Sequence, residues 1–257
     1  MMDKKPITLE ERKKIQLGML DEIDSFCREH DIRYSLAFGT LIGAIRHKGY
    51  IPWDDDVDLI MPLPDMLRFK KEFKSDKLAY VDLDTVPHYE YHFSRICYLP
   101  TYSKTGVLEK SYGVNIDLYP VVGMPDTEDE IQRFLKGINP LYKKRMKLIT
   151  MRRRLINRLP FAFVPGFQST IRQFRDVVLY SYPYDTARNY LHAGSVRRVN
   201  ILGFDVFDGF VDVEFEGHTY QSMARYHEYL THCFGDYMQL PPEDQRHPYH
   251  GGTYYWK

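Results

Sequence analysis

An α+β fold, a mixed β-sheet core flanked by helices with a helical appendage, is the architecture this chain predicts, on three observations. An amphipathic helix opens the sequence. Short apolar runs of strand length, bounded by turn residues, follow it. A strongly basic helical stretch, at about 128–180, then interrupts the strands. At 257 residues the chain is long enough to bury a substantial core. It is read as a single domain over 1–257, with the basic helical segment as part of it.

The elements are justified in turn. Thr8 to Glu29 predicts a helix: Thr8 with Glu11 makes a capping box, and Leu9, Ile15, Met19, Ile23 and Phe26 form the apolar stripe. Ile32 to Phe38 reads as the first strand, Thr40 to Arg46 as a short helix, and Val57 to Met61 as the second strand. Pro64 suits a helix start, running to about Lys74. Ala79 to Leu83, Tyr91 to Tyr98 and Gly113 to Val122 read as further strands. Phe204 to Phe207 and Val211 to Phe215, joined by Asp208-Gly209, predict a hairpin. Met223 to Cys233 reads as a late helix.

The most informative stretch is Leu36 to Met61, LAFGTLIGAIRHKGYIPWDDDVDLIM. A strand running into Gly39-Thr40 and then a helix presents free backbone N–H groups at the helix's positive end, which suits a phosphate. Arg46, His47 and Lys48 at the far end of that helix add candidate phosphate contacts. The carboxylates that follow are hard oxygen ligands of the kind Mg²⁺ takes together with substrate phosphates. Asp56 and Asp58 alternate with Val57, Leu59 and Met61, so in a strand both carboxylates share one face while the apolar residues face the core. Asp54 has the same parity and is expected to assist; Asp55 points the other way and is expected to be structural or solvated.

Three other readings compete. A charge run is ordinarily a solvated loop, but the apolar alternation and the upstream Gly-Thr argue against that here. A calcium loop fails because Leu59 stands where the sharp-turn glycine is needed and Asp65 where the bidentate Glu is needed. A sugar-nucleotide glycosyltransferase with a D-x-D metal site stays open.

The segment from Gly39 to Asp58 resembles the signature of the LicD family, which includes the fukutin-related proteins. The resemblance continues in Asn115-Ile116-Asp117-Leu118-Tyr119-Pro120, in Phe215-Glu216-Gly217, and in Tyr229-Leu230, Phe234-Gly235-Asp236-Tyr237 and Leu240-Pro241-Pro242. It runs from about residue 10 to the C-terminus, departing at Tyr220-Gln221-Ser222, where a proline-bearing link is expected. It implies a nucleotidyltransferase-like fold and transfer of phosphocholine from CDP-choline to a surface glycan such as teichoic acid or lipopolysaccharide, with a lipid-linked acceptor. A metal, Mg²⁺ or Mn²⁺, is implied on Asp56, Asp58 and Asp117. Asp117 also lies as a lone carboxylate between Ile116 and Leu118, where it needs a metal or a salt-bridge partner. Other phospho-alcohol donors (ribitol, glycerol, ethanolamine) and a non-catalytic glycan-binding partner are the alternatives.

A choline headgroup needs aromatic faces, and Trp53, Tyr50 and Tyr119 flank the acidic residues. His247 and His250, in the Pro-rich tail, could close the pocket. Between Lys143 and Arg158 stand eight Lys or Arg and no acid, interleaved with apolar residues, which reads as a peripheral surface for anionic membrane or a partner, with a solvated helix whose charges pair elsewhere as the alternative. The formal net charge is zero, so no global field favours nucleic acid. Three distant cysteines argue against a disulfide scaffold, and no signal peptide or spanning segment is visible. The expected location is cytoplasmic, on the inner face of the cell membrane.

Overall fold

The computed structural model describes residues 5–86, 89–103, 112–156, 164–247 and 252–257. Helix α1 (Leu9–Glu29) starts where the capping box placed it, with both reciprocal Thr8–Glu11 hydrogen bonds formed. Its buried face carries Met19, Leu20, Ile23 and Cys27, whereas Leu9 is exposed. Strand β1 is only Ser35–Leu36, shorter than expected, because Ala37 already caps helix α2 (Phe38–His47). Strand β2 (Asp58–Pro62) and helix α3 (Leu63–Glu72) follow. Next come strands β3 (Leu78–Val81), β4 (Ser94–Tyr98), β5 (Thr101–Ser103) and the ten-residue β6 (Asn115–Met124).

The main sheet has the order β1-β2-β6-β4-β3, extended beside β6 by β7 (Asn189–His192) and β8 (Ile201–Leu202). Strands β2 and β6 run parallel, while the other pairings of this sheet among the described residues are antiparallel. The mixed sheet with flanking helices is the α+β class expected. In the β2–β6 register Asp58 stands opposite Asp117, so the two carboxylates lie on neighbouring strands at one level. Val57, Leu59, Ile116 and Leu118 beside them are almost completely buried, which fixes the faces, since a one-residue slip would turn this apolar set outward.

The basic middle is two helices, α4 (Glu128–Ile156), with Pro140 inside it, and α5 (Phe167–Tyr180). Ile149, Phe167 and Ile171 pack with Val81, Leu83 and Tyr89 in an apolar cluster beside the main core. Arg145 and Arg152 are buried on the inner side of α4, while Lys143, Lys144, Lys147 and Arg154 are exposed. Arg158 lies outside the described residues.

The expected hairpin is shifted. Its arms are β9 (Phe210–Phe215) and β10 (His218–Met223), and the turn is Glu216-Gly217, both at positive φ (54° and 79°). That backbone matches the twist of paired strands, which an Asp208-Gly209 turn would have served one element too early. Met223 therefore ends a strand, and helix α6 starts later (Tyr226–Phe234). The chain closes with β11 (Tyr254–Trp256) on β5.

Candidate active site

A cavity of about 640 Å³ opens between α2, the acidic loop and the segment after α6. Gly39, Ile42 and Arg46, spaced three and four apart on one face of α2, form one wall. Trp53, Asp54, Asp56 and Asp58 form the floor. Asp236, Tyr237, Leu240, Pro241 and Pro242 form the opposite wall, so sequence pieces nearly 200 residues apart meet in one place. That last wall was legible only as resemblance; no residue chemistry in the sequence marked it as part of a site.

The acidic loop is held from three sides. Asp55 accepts from Arg12 Nη1 at 2.8 Å in a buried ion pair, which bolts the loop to α1 and fulfils its expected structural role. The Thr40 hydroxyl accepts from the Asp58 backbone N–H at 2.9 Å. The Thr40 side chain is buried and outside the cavity lining, so it positions Asp58. Gly39 allows the close approach of Asp54: a Cβ there would stand 2.6 Å from Asp54 Oδ2. The Asp54 carboxylate thus packs against the first turn of α2, the place expected for a phosphate, and gains from the helix's positive end.

Strand β2 begins at Asp58, so Asp56 lies in the loop rather than on a strand face; both nevertheless line the cavity with buried Val57 between them. Asp58 Oδ1 is buried with no hydrogen-bond partner. Burial, and then the charges of Asp56, Asp117 and Asp54, push the Asp58 carboxyl well above the usual range. Burial and Asp56 push Asp54 up to about 7. So many carboxylates in so little water call for a cation. Among the described residues the set whose oxygens lie within ligating range of one another is Asp54, Asp55 and Asp56, all within 4.8 Å. An orphaned buried carboxylate oxygen beside that set fits a hard divalent ion such as Mg²⁺ or Mn²⁺.

Asp117 is differently engaged. Arg95 donates to it from Nε (2.8 Å) and Nη2 (3.4 Å), Asn115 Nδ2 donates at 2.6 Å and the Tyr119 hydroxyl at 3.3 Å. It does not line the cavity, and the salt-bridge partner that an isolated carboxylate needs is Arg95.

The remaining candidates separate. Arg46 lines the cavity, but its Nη1 donates to the carbonyls of Tyr237 (2.6 Å) and Gln239 (3.2 Å) and its Nε to His47 Nε2 (2.9 Å), so it ties the far wall to α2. Burial and the Arg46 charge lower His47 below the usual imidazole range, keeping it neutral. Neither His47 nor exposed Lys48, the left-handed C-cap of α2, lines the cavity. Tyr50 is a core residue: its ring packs on Phe215, its hydroxyl donates to Gln16, and Lys13 covers it at 4.4 Å. Tyr119 stands behind the site, edge-on to Phe38 at 5.2 Å and tilted on Phe93 at 4.3 Å. Only Trp53 of the three expected aromatics reaches the cavity, and the Arg246 guanidinium lies over its ring at 5.6 Å. His247 is exposed, and His250 lies outside the described residues.

Known proteins resemble this chain in sequence. The sequence profile of the LicD/FKTN/FKRP nucleotidyltransferase domain matches residues 31–143, which contain both the acidic loop and Asp117. The chain is 30% identical over 269 aligned residues to the lipopolysaccharide cholinephosphotransferase LicD of Haemophilus influenzae, covering 96% of this chain and 97% of the relative. A shorter match, 33% over 64 residues, relates 24% of the chain to 21% of an uncharacterized protein of Rickettsia typhi. Similarity of that extent, 30% identity across nearly the whole of both chains, places this chain in the LicD family.

Proposed function

We propose that this protein transfers phosphocholine from CDP-choline to a hydroxyl of a lipid-linked surface glycan, with a divalent cation in the acidic cavity. The observation that carries the reading is the buried, unpartnered Oδ1 of Asp58 beside Asp54 and Asp56. Kinship with a lipopolysaccharide cholinephosphotransferase names the transferred group. Asp56 and Asp58 are the principal ligands, with Asp54 beside them. Asp117 could join only by releasing Arg95, which makes it a positioning residue here. Bound there, Mg²⁺ or Mn²⁺ would neutralise the pyrophosphate and the charge that develops on it.

The chain's own residues do the rest. The acceptor hydroxyl oxygen bonds to the choline-bearing phosphorus, the bond from that phosphorus to the bridging oxygen breaks, and CMP leaves with the electron pair. Asp54 lines the cavity without an ion-pair partner among the described residues, and takes the hydroxyl proton as general base. Asp117, with its oxygens engaged by Arg95, Asn115 and Tyr119, is poorly suited to that step. Trp53 offers its face to the trimethylammonium group. That face already attracts a cation, Arg246, which a quaternary ammonium would replace.

Among the described residues no helix is long and apolar enough to cross a membrane. The exposed side of α4, with Lys143, Lys144, Lys147, Arg154, Met146 and Met151, suits peripheral contact with anionic lipid, where a lipid-linked acceptor would be met. Calorimetry with Mg²⁺ tests the donor: CDP-choline should bind more tightly than CDP-ribitol, CDP-glycerol or a UDP-sugar, and Trp53→Ala should narrow that gap more than it weakens CMP. Tighter binding of CDP-ribitol would remove choline from the account and leave the phosphoryl chemistry in place.

A further inference from the structure

A second cavity, of about 210 Å³, lies beneath the basic helix α4, away from the acidic loop. Its walls are aromatic: Tyr91, Phe93, Tyr142 and Phe174 all contribute. It also holds a buried cation. Arg145 is 6% exposed, and among the described residues no carboxylate lies within ion-pair distance of it. Its Nη2 donates to the Glu90 carbonyl at 2.8 Å, its Nη1 reaches only the Met146 sulfur at 3.7 Å, and its Nε is buried with no partner. Among the described residues the one carboxylate lining the cavity, that of Glu90, is bound by Arg153, and the Arg145 guanidinium, which lies over the Phe174 ring at 5.1 Å, has no carboxylate of its own. A buried guanidinium without a counter-anion is costly, and the structure retains one against a hollow. His92, also buried there, has neither ring nitrogen hydrogen-bonded; burial and then the Arg145 charge lower it to about 3, so it adds no charge of its own.

This cavity and the acidic one share no lining residue, and an aromatic layer stands between them. Phe93 lines it and packs on Tyr119, whose hydroxyl reaches Asp117. Gly194 lines it too, and a Cβ there would touch both Phe38 and Tyr119, at 3.4 and 3.5 Å. Phe38 immediately precedes Gly39 at the donor wall.

We propose that this cavity is the acceptor subsite, holding a phosphate-bearing sugar of the glycan with its anion on Arg145 and its ring against Tyr142 and Phe93. Aromatic faces suit the apolar face of a pyranose, and the unpaired guanidinium selects a phosphorylated one over a neutral one. The proposal deepens the phosphocholine-transfer reading by naming the acceptor's chemistry.

Binding to the purified full-length protein, without donor, tests it separately from catalysis. Glucose 6-phosphate should bind saturably and at least tenfold more tightly than glucose or inorganic phosphate. Arg145→Gln and Tyr142→Ala should each weaken it about tenfold, Arg145→Lys should recover most of the loss, and CDP-choline binding should be unchanged in all three. Tyr142 is on the rim, so its variant remains informative should Arg145→Gln fail to fold. Absence of saturable binding, equal binding by Tyr142→Ala, or displacement of glucose 6-phosphate by CDP-choline would overturn the subsite. Glycerol 3-phosphate binding as tightly would overturn the sugar assignment in favour of a lipid headgroup. Because the ligand is measured apart from turnover, failure of the donor reading would appear in CDP-choline binding instead.

Discussion

Replacing Gly39 by alanine separates the site from the fold more cleanly than any carboxylate substitution. The added Cβ would stand 2.6 Å from Asp54 Oδ2, so that oxygen must retreat by 0.8 Å to reach the 3.4 Å of ordinary contact. The obstacle is the end of a side chain at a cavity wall, so the backbone need not move. Overpacking of this kind costs about 1–3 kcal/mol, and alanine returns about 1 kcal/mol over glycine within a helix. The net loss is then about 0–2 kcal/mol, a fall in melting temperature of at most about 8 °C for a chain of this size. The effect on chemistry should be larger. Asp54 is placed as the general base, and a misplacement near 1 Å in a reacting site can cost about 100-fold. CMP release from CDP-choline, metal titration and thermal melting would be measured on the same preparation. Turnover should fall at least tenfold, with metal affinity little changed, in a protein that still melts cooperatively. Turnover within twofold of wild type would refute the idea that Asp54 must sit against the first turn of α2.

The other predictions concern charge. Asp58→Asn removes a carboxyl crowded by burial, Asp56 and Asp117, so the metal-free variant should melt higher than metal-free wild type while turnover drops by orders of magnitude; a lower melting point would mean the crowding is already relieved. Changing Lys143, Lys144, Lys147 and Arg154 together to Gln should weaken binding to anionic vesicles by about 4 kcal/mol, at about 1 kcal/mol per basic residue, and spare donor hydrolysis; unchanged flotation would assign that face to a protein contact or to solvent. His92 and His192 are each lowered to about 3 by burial, so the folded protein keeps them neutral. Their contribution is complete above the unfolded histidine value near 6.5 and is lost as pH falls below it, by about 1.4 kcal/mol per pH unit for each. His192→Gln should therefore show a shallower loss of stability between pH 6.5 and 5 than wild type, and parallel curves would contradict the assignment.

Sequence made the acidic loop legible because alternation, spacing and composition are local properties. The pairing of Asp58 with Asp117 came from resemblance, and the parallel β2–β6 register bears out their proximity. What sequence could not supply was partnership. Nothing near Asp117 in the chain announces Arg95, 22 residues earlier, as its ion-pair partner. Nor does the sequence announce that the Thr40 hydroxyl accepts from the Asp58 N–H, a contact set by strand placement. Tyr50 is adjacent to the motif in sequence yet belongs to the core, because the left-handed cap at Lys48 turns the chain toward Phe215. Asp208-Gly209 has the composition of a hairpin turn, and only cross-strand packing selects Glu216-Gly217 instead. In the basic helix, the charge run gives no sign that Arg145 and Arg152 turn inward with Ile149.

The central claim, cation-dependent phosphocholine transfer at the acidic cavity, is tested most directly by metal readdition. Chelator-stripped protein, supplied with CDP-choline and host glycan, is titrated with Mg²⁺ or Mn²⁺ while CMP release and mass of the glycan are followed. Wild type should be silent when stripped and recover with added ion, each CMP matched by one phosphocholine on the glycan. Asp56→Asn should stay silent at every ion concentration. Full activity in stripped protein, or recovery of Asp56→Asn to the wild-type rate, would contradict the account.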